Sequence, residues 1–374
     1  MSVPTRQTSE HVRPFGKMHN RWTLLLLMWV MAGAGVSPAL AFDIIPTWDS
    51  SITNDASAND IMTTIRAAIF EYQNRIANPI TVQIKFAKMT SGLGQSQTPG
   101  YGHNYLAYRN ALASHATSTL DSQALQLVPF QPSNPVNFGN TIHVAHALEL
   151  ALGLSNNSPP TVDSTLSFNT SLCKLSPSGG WPANGYSLSA VVCHEIDEVL
   201  GTFSNLYPSN APSMTEVNPP DLFRFDENYF RSFTTNAGAR AFFYIPGQSL
   251  IREYNQDGSG DFGDWKGDST PHVQDAYGTP LSDPRLEFEE MALLDAIGYT
   301  IRPKPVWLDP SAGGGSGSYF SAYNSESSAG ANVEPGGAIM IKGSPTLHHS
   351  RIDASTYGKV VKLTSFNGTT RIVP

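Results

Sequence analysis

His194, Glu195 and Glu198 stand together within the run SLSAVVCHEIDEVL, Ser187 to Leu200. On a helix, positions i and i+4 share one face. The imidazole of His194 and the carboxylate of Glu198 can therefore both reach one Zn2+ at about 2.0–2.2 Å. Glu195 points about 100° away around the helix, beside the ion but not on it. That is the place for a general base that takes a proton from water in metal-assisted hydrolysis. An anionic second ligand lowers the charge at the metal relative to two imidazoles, and with it the acidity of a water there. The charged trio also interrupts an apolar stretch, with Val191 and Val192 before it and Val199 and Leu200 after it. A buried helix carries two glutamates and a histidine only where they are paired or hold a metal.

A third ligand has to come from elsewhere in the chain. Asp221 follows a Pro/Asn/Ser loop, Tyr207 to Pro220, that can bring the chain back towards the metal; as an ordinary residue it would be a cap or a partner of Arg224. His272 is the alternative third ligand, imidazole being the commonest zinc donor; its plain reading is an exposed loop histidine. His143 and His146 read better as strand or core histidines. Asn255, Asp257, Ser259 and Asp261 occupy positions one, three, five and seven of a run with Gly260 at six, which echoes a Ca2+ loop. Lys266 stands where the closing glutamate belongs, so a tight Asp/Gly turn is the competing reading. No G-x-S-x-G elbow occurs, and Cys193 falls inside the expected buried helix, so nucleophile schemes have little to rest on.

The elements that must position these side chains are readable from periodicity. Ser187 can cap and Gly201 can end a helix with Leu188, Val191, Val192, Ile196 and Val199 at helical spacing. An earlier helix is expected over 61–76, with Ile61, Ile65, Ile69 and Tyr72 on one face. Ile80 to Phe86 alternates with period two and reads as a half-buried strand. Ser91 to Gly102, rich in Gly, Ser and Gln, reads as a loop, and 105–116 as a second helix. Strand-like pieces follow around His143 to Ala145, Thr165 to Phe168 and Ala241 to Ile245. A last helix is expected from Glu287 to Ile297, ending at Gly298. The sum is an α+β domain, a twisted sheet with the His194 helix beneath it.

Composition sets the frame. The chain has 374 residues, a formal net charge of −8 and only 14% charged residues, which favours neither nucleic acid nor an anionic membrane as partner. Trp22 to Val36 is an apolar run behind Lys17 and Arg21, followed by Ala39 and Ala41, which reads as a signal peptide over 1–41 and an exported, periplasmic or extracellular, protein. About 15 apolar residues fall short of a bilayer span, so no stable membrane span is expected after cleavage. Domain boundaries follow: a catalytic-type domain over 42–302, a linker over 303–318 carrying the Gly313 to Ser318 run, and a small β-rich region over 319–374. Cys173 and Cys193 allow one intrachain disulfide in an exported protein; two small core thiols are the other reading.

Read as HEIDEVLGTFS, the segment resembles the active-site helix of metzincin-like zinc proteases. Glu198 replaces the second histidine of H-E-x-x-H, Gly201 is the glycine that permits a sharp turn, and Ser204 stands where the third histidine would be. The chain more closely resembles a group of exported bacterial metalloproteases with H-E-I-x-E-V-x-G. These share a D-L-F-R segment (Asp221 to Arg224), G-D-[FY]-G-D-W (Gly260 to Trp265), V-Q-D-A (Val273 to Ala276) and a closing E-x-x-x-L-D-x-I-G-Y (Glu290 to Tyr299). The resemblance covers roughly residues 43–299. It implies a zinc-dependent peptidase acting on a protein or peptide substrate, with Glu195 as base, and leaves the third ligand open. The loss of both later histidines keeps a second expectation alive, a non-catalytic exported binding or structural protein on the same scaffold.

Overall fold

The computed structural model describes residues 42–154, 159–211, 213–343 and 358–367; the expected signal peptide lies outside the described residues. The chain opens with β1 (Asp43–Trp48), α1 (Ser50–Thr53), α2 (Ala58–Arg75), β2 (Thr81–Lys88), β3 (Gly94–Gln97) and β4 (Gly100–Asn104). It continues through α3 (Tyr105–His115), α4 (Thr119–Ala124), β5 (Thr141–Ala145), α5 (His146–Leu152) and β6 (Ser164–Phe168). The short strands β7 (Cys173–Lys174) and β8 (Tyr186–Ser187) lead into α6 (Leu188–Val199). After it come β9 (Arg224–Phe225), β10 (Phe242–Tyr244), β11 (Leu250–Glu253), α7 (Phe288–Ile297), β12 (Val306–Leu308), α8 (Glu326–Asn332), β13 (Ala338–Lys342) and β14 (Lys362–Phe366). Helices mix with several small sheets, an α+β arrangement.

The sheet that matters for the site has the order β1-β2-β6-β3. β1, β2 and β6 run parallel, and β3 pairs antiparallel with β6 at one edge. Val82, Ile84 and Phe86 of β2 are fully buried at every second position, as the alternation of this strand requires. α2 packs on α6, and α6 lies against β3. Ile65, Tyr72, Leu166, Phe168, Val192 and Ile196 share one core with these strands. Each such side chain contributes about 1.5–3 kcal/mol by leaving water.

Two sequence expectations need correction. The segment 91–102, expected as a loop, contains β3 and the start of β4. Gly-Gln-Ser-Gln has little intrinsic strand preference and no apolar alternation; its pairing partners, Phe168 back to Thr165 on β6, impose the extended form. The expected linker over 303–318 contains a buried strand, β12, paired in parallel with β13, and β13 pairs with β14. Trp307 is fully buried, tilts against Phe70 of α2, and donates from Nε1 to Glu71 Oε1 at 2.7 Å. The glycine run forms a turn in which Gly317, at φ +84°, accepts from Trp307 N and donates to Ser321 O. It holds β12 in place and is no tether. Cys173 and Cys193 are both buried free thiols.

α6 forms as its sequence directs. Ser187 Oγ accepts from the Ala190 N–H at 3.2 Å, and Leu188, Val192, Ile196 and Val199 are buried on the inner face. Gly201 takes φ +104°, a left-handed conformation that turns the chain sharply away from the helix end. Among the described residues no helix is long and apolar enough to cross a membrane.

Candidate metal centre

α6 puts His194 and Glu198 one turn apart, with His194 Nε2 3.9 Å from Glu198 Oε1. From the loop after β11 comes Asp264, whose Oδ2 lies 3.7 Å from the same nitrogen. One ligand atom from each of the three lies within 4.8 Å of the others. Tetrahedral zinc spaces its ligand atoms by about 3.4 Å, so these side chains need only small rotations to close on an ion. The Val273 carbonyl is 2.9 Å from His194 Nδ1; with that nitrogen carrying the proton, Nε2 turns its lone pair towards the two carboxylates. The carboxylates are held in turn. Ser96 on β3 donates its hydroxyl to Glu198 Oε2, and Gln274 Nε2 donates to Asp264 Oδ1 at 2.8 Å. One imidazole nitrogen and two carboxylate oxygens, each with an outer partner, fit a divalent ion of the zinc class and leave a further coordination position open.

The electrostatics point the same way. Burial raises the Asp264 carboxyl to about 7; His194 opposes this, and Glu198 and Asp261 add to it. Burial likewise raises Glu198, with His194 and the Ser96 hydroxyl opposing. Burial works against charge on His194, yet the carboxylates of Asp264, Glu195 and Glu198 outweigh it and lift the imidazole to about 10. Several acids around one imidazole is a site short of positive charge, and a divalent cation at the convergence point would supply it.

Glu195 stands outside the group formed by His194, Glu198 and Asp264, and it lines a cavity of about 440 Å3 together with His194. Leu93, Gly94, Tyr186 and Val273 form other parts of the wall. The carboxylate of Glu195 fills the space where a side chain at position 94 would begin, against the backbone of β3. Desolvation, with Glu198 and Asp264 nearby, holds its proton affinity well above that of an ordinary glutamate.

The structure brings together His194, Glu198 and, nearby, Glu195. It does not bring either expected third ligand to them. Asp221 is fully buried, where it accepts from Ser204 Oγ at 2.6 Å and from Asn218 N at 2.8 Å, so it is a capping residue. Ser204 is thus the partner of Asp221. His272 faces Glu289 and Glu290 of α7 instead. The expected calcium loop closes on itself. Asn255 Nδ2 donates to the Asp257 and Asp261 carbonyls, its Oδ1 accepts from Asp257 N, and Asp257 Oδ1 accepts from Ser259 N. The Asn255 and Asp257 side chains are spent on turn geometry. Burial raises the Asp261 carboxyl, and the imidazole of His194 opposes that rise. His146 pairs with Asp163, and His143 sits on β5.

Asp264 is the candidate ligand that sequence reasoning missed. It lies in the GDFGDW segment, directly before Trp265, which is fully buried and stacks on Phe243. The nearest signal in the sequence was an acid held in a short segment of two glycines, a phenylalanine and a tryptophan, and it does not by itself point to the His194 helix. Two groups of described residues have the composition and spacing to hold a metal ion: this one, and His272 with Glu289 and Glu290.

No family model, curated protein or solved structure matches the chain.

Proposed function

We propose that this chain is an exported zinc-dependent endopeptidase, with His194, Glu198 and Asp264 as the metal ligands and Glu195 as general base. One observation carries the reading: three ligand atoms converge beside a cavity whose wall includes an unligated, buried glutamate. The export part rests on the apolar run Trp22 to Val36 and the small residues Ala39 and Ala41.

When bound, zinc supplies Lewis-acid polarisation of a substrate carbonyl and lowers the pKa of water. The chain's own residues do the rest. β3 is the edge of its sheet, and no strand among the described residues pairs with its outer side. An extended peptide can therefore add there through backbone hydrogen bonds, running alongside α6. The cavity behind His194 takes a substrate side chain and excludes water. Glu195 takes a proton on its carboxylate from the attacking water and delivers it to the departing amine nitrogen. Its desolvated position favours holding that proton between the two transfers. Val273 and Gln274 keep His194 and Asp264 aimed while this happens.

Glu195→Gln keeps the shape and removes the base. The variant should lose peptide hydrolysis by about 10^2–10^4-fold while binding as much zinc as the parent. Parent-level cleavage of an unfolded protein by Glu195→Gln would end the peptidase reading.

A further inference from the structure

The His272 group lies outside the His194 centre and nothing in the proposed reaction uses it. His272 Nδ1 is 3.8 Å from Glu289 Oε2 and 3.8 Å from Glu290 Oε1. Its side chain is only 8% exposed, and Nδ1 is buried without a hydrogen-bond partner. An unpaired buried ring nitrogen costs free energy, and 3.8 Å is too long for a direct hydrogen bond. Two bonds of about 2.1 Å to a common ion span 3.8 Å at an angle of roughly 130°. The three ligand atoms lie within 4.8 Å of one another. Glu290 is pre-set for such a role: its Oε2 accepts from Glu287 N at 3.1 Å in the cap of α7, and its Oε1 faces Gln274 N at 3.4 Å. His272 also lines the cavity, which gives an ion a way in.

We infer that His272, Glu289 and Glu290 form a second divalent-cation site of the zinc class. The imidazole in the set disfavours calcium, which takes oxygen ligands. The ion ties the 272–274 segment to the start of α7. That segment carries the Val273 carbonyl and the Gln274 amide that orient His194 and Asp264. The second site thus serves as a brace for the first. Its existence does not depend on the peptidase reading.

The test is zinc stoichiometry by equilibrium dialysis of the folded full chain, with near-ultraviolet circular dichroism as the check on folding. The parent should bind two ions per chain. His272→Ala should keep only the ion lost in His194→Ala. Glu289→Gln, which alters the most exposed ligand of the three and so spares the core, should weaken the second ion by about tenfold or more, since even outer-shell changes cost that much. Two ions bound with parent affinity in both His272→Ala and Glu289→Gln would overturn the site. So would a parent that binds a single ion lost in His194→Ala, which leaves the peptidase reading standing. A single ion lost in His272→Ala but kept in His194→Ala supports the second site and removes the first. No bound zinc at all defeats both.

Discussion

Gly94 and Glu195 share one space. A Cβ at position 94 would overlap Oε1 of Glu195 and stand 2.8 Å from Cγ1 of Val191. The backbone at Gly94 is ordinary extended strand, so glycine is required here by the carboxylate opposite and not by dihedral angles. Gly94→Ala should push the Glu195 carboxylate off its position while leaving His194, Glu198 and Asp264 untouched. A misplacement of about 1 Å costs roughly 100-fold in rate. Expected, then, are a fall in kcat of about 10–100-fold and an unchanged zinc content. Loss of zinc together with activity would mean that the methyl group disturbs α6 as a whole.

Gln274→Met isolates the partner of Asp264. Methionine keeps the volume at this fully buried position but cannot donate to Asp264 Oδ1. Zinc affinity at the His194 centre should fall about 10–100-fold, as it does when outer partners of ligands are removed elsewhere. Competition against a chromophoric chelator measures it, and parent affinity in the variant would show that Asp264 is not a ligand.

Trp307→Ala tests whether the C-terminal sheet belongs to the main fold. Trp307 packs against Phe70, Tyr319 and Phe366 and donates to Glu71 of α2. Truncating it should cost about 3–5 kcal/mol, the usual loss for a buried large aromatic, in a single unfolding transition monitored by urea. A loss below about 1 kcal/mol, or a separate early transition for the tail, would restore the picture of an independent appendage.

The sequence was most legible where cause and effect are local. In α6 the cap Ser187, the apolar spacing and Gly201 all lie within fifteen or so residues of one another, and the helix forms as read. The His194–Glu198 pair is legible for the same reason, since a helix fixes i and i+4. Asp264 and His272 are set by how the chain folds back over α6 through loops without periodicity, and spacing cannot tell which of two distant side chains arrives. β3 is invisible because nothing in Gly-Gln-Ser-Gln asks for a strand; only β6 makes it one. Gly313 to Ser318 has the composition of a linker, but Val306, Trp307 and Leu308 just before it form an apolar run of the kind a buried strand carries.

Asp295 offers a pH test away from the metal ligands. It sits on α7, where Oδ2 accepts from Ser118 Oγ at 2.8 Å, in the same turn that Asp121 caps. Burial, reinforced by the Asp121 charge, raises its carboxyl from 3.8 to about 7, with Ser118 opposing. In the unfolded chain the group ionises near 3.8, so between that pH and about 7 the folded state binds more protons than the unfolded one. Stability therefore falls as pH rises through this window, and the penalty is complete above it. Asp295→Asn stays neutral and keeps an oxygen to accept from Ser118. At pH 8 the variant should be more stable than the parent by about 1–3 kcal/mol, and at pH 4 the difference should shrink to within about 0.5 kcal/mol. Urea unfolding of both proteins at the two pH values, at equal zinc concentration, cancels every other titrating group they share. A variant less stable than the parent at pH 8 would show that the ionised Asp295 is stabilised by its partners in the folded chain, and that its carboxyl is not raised.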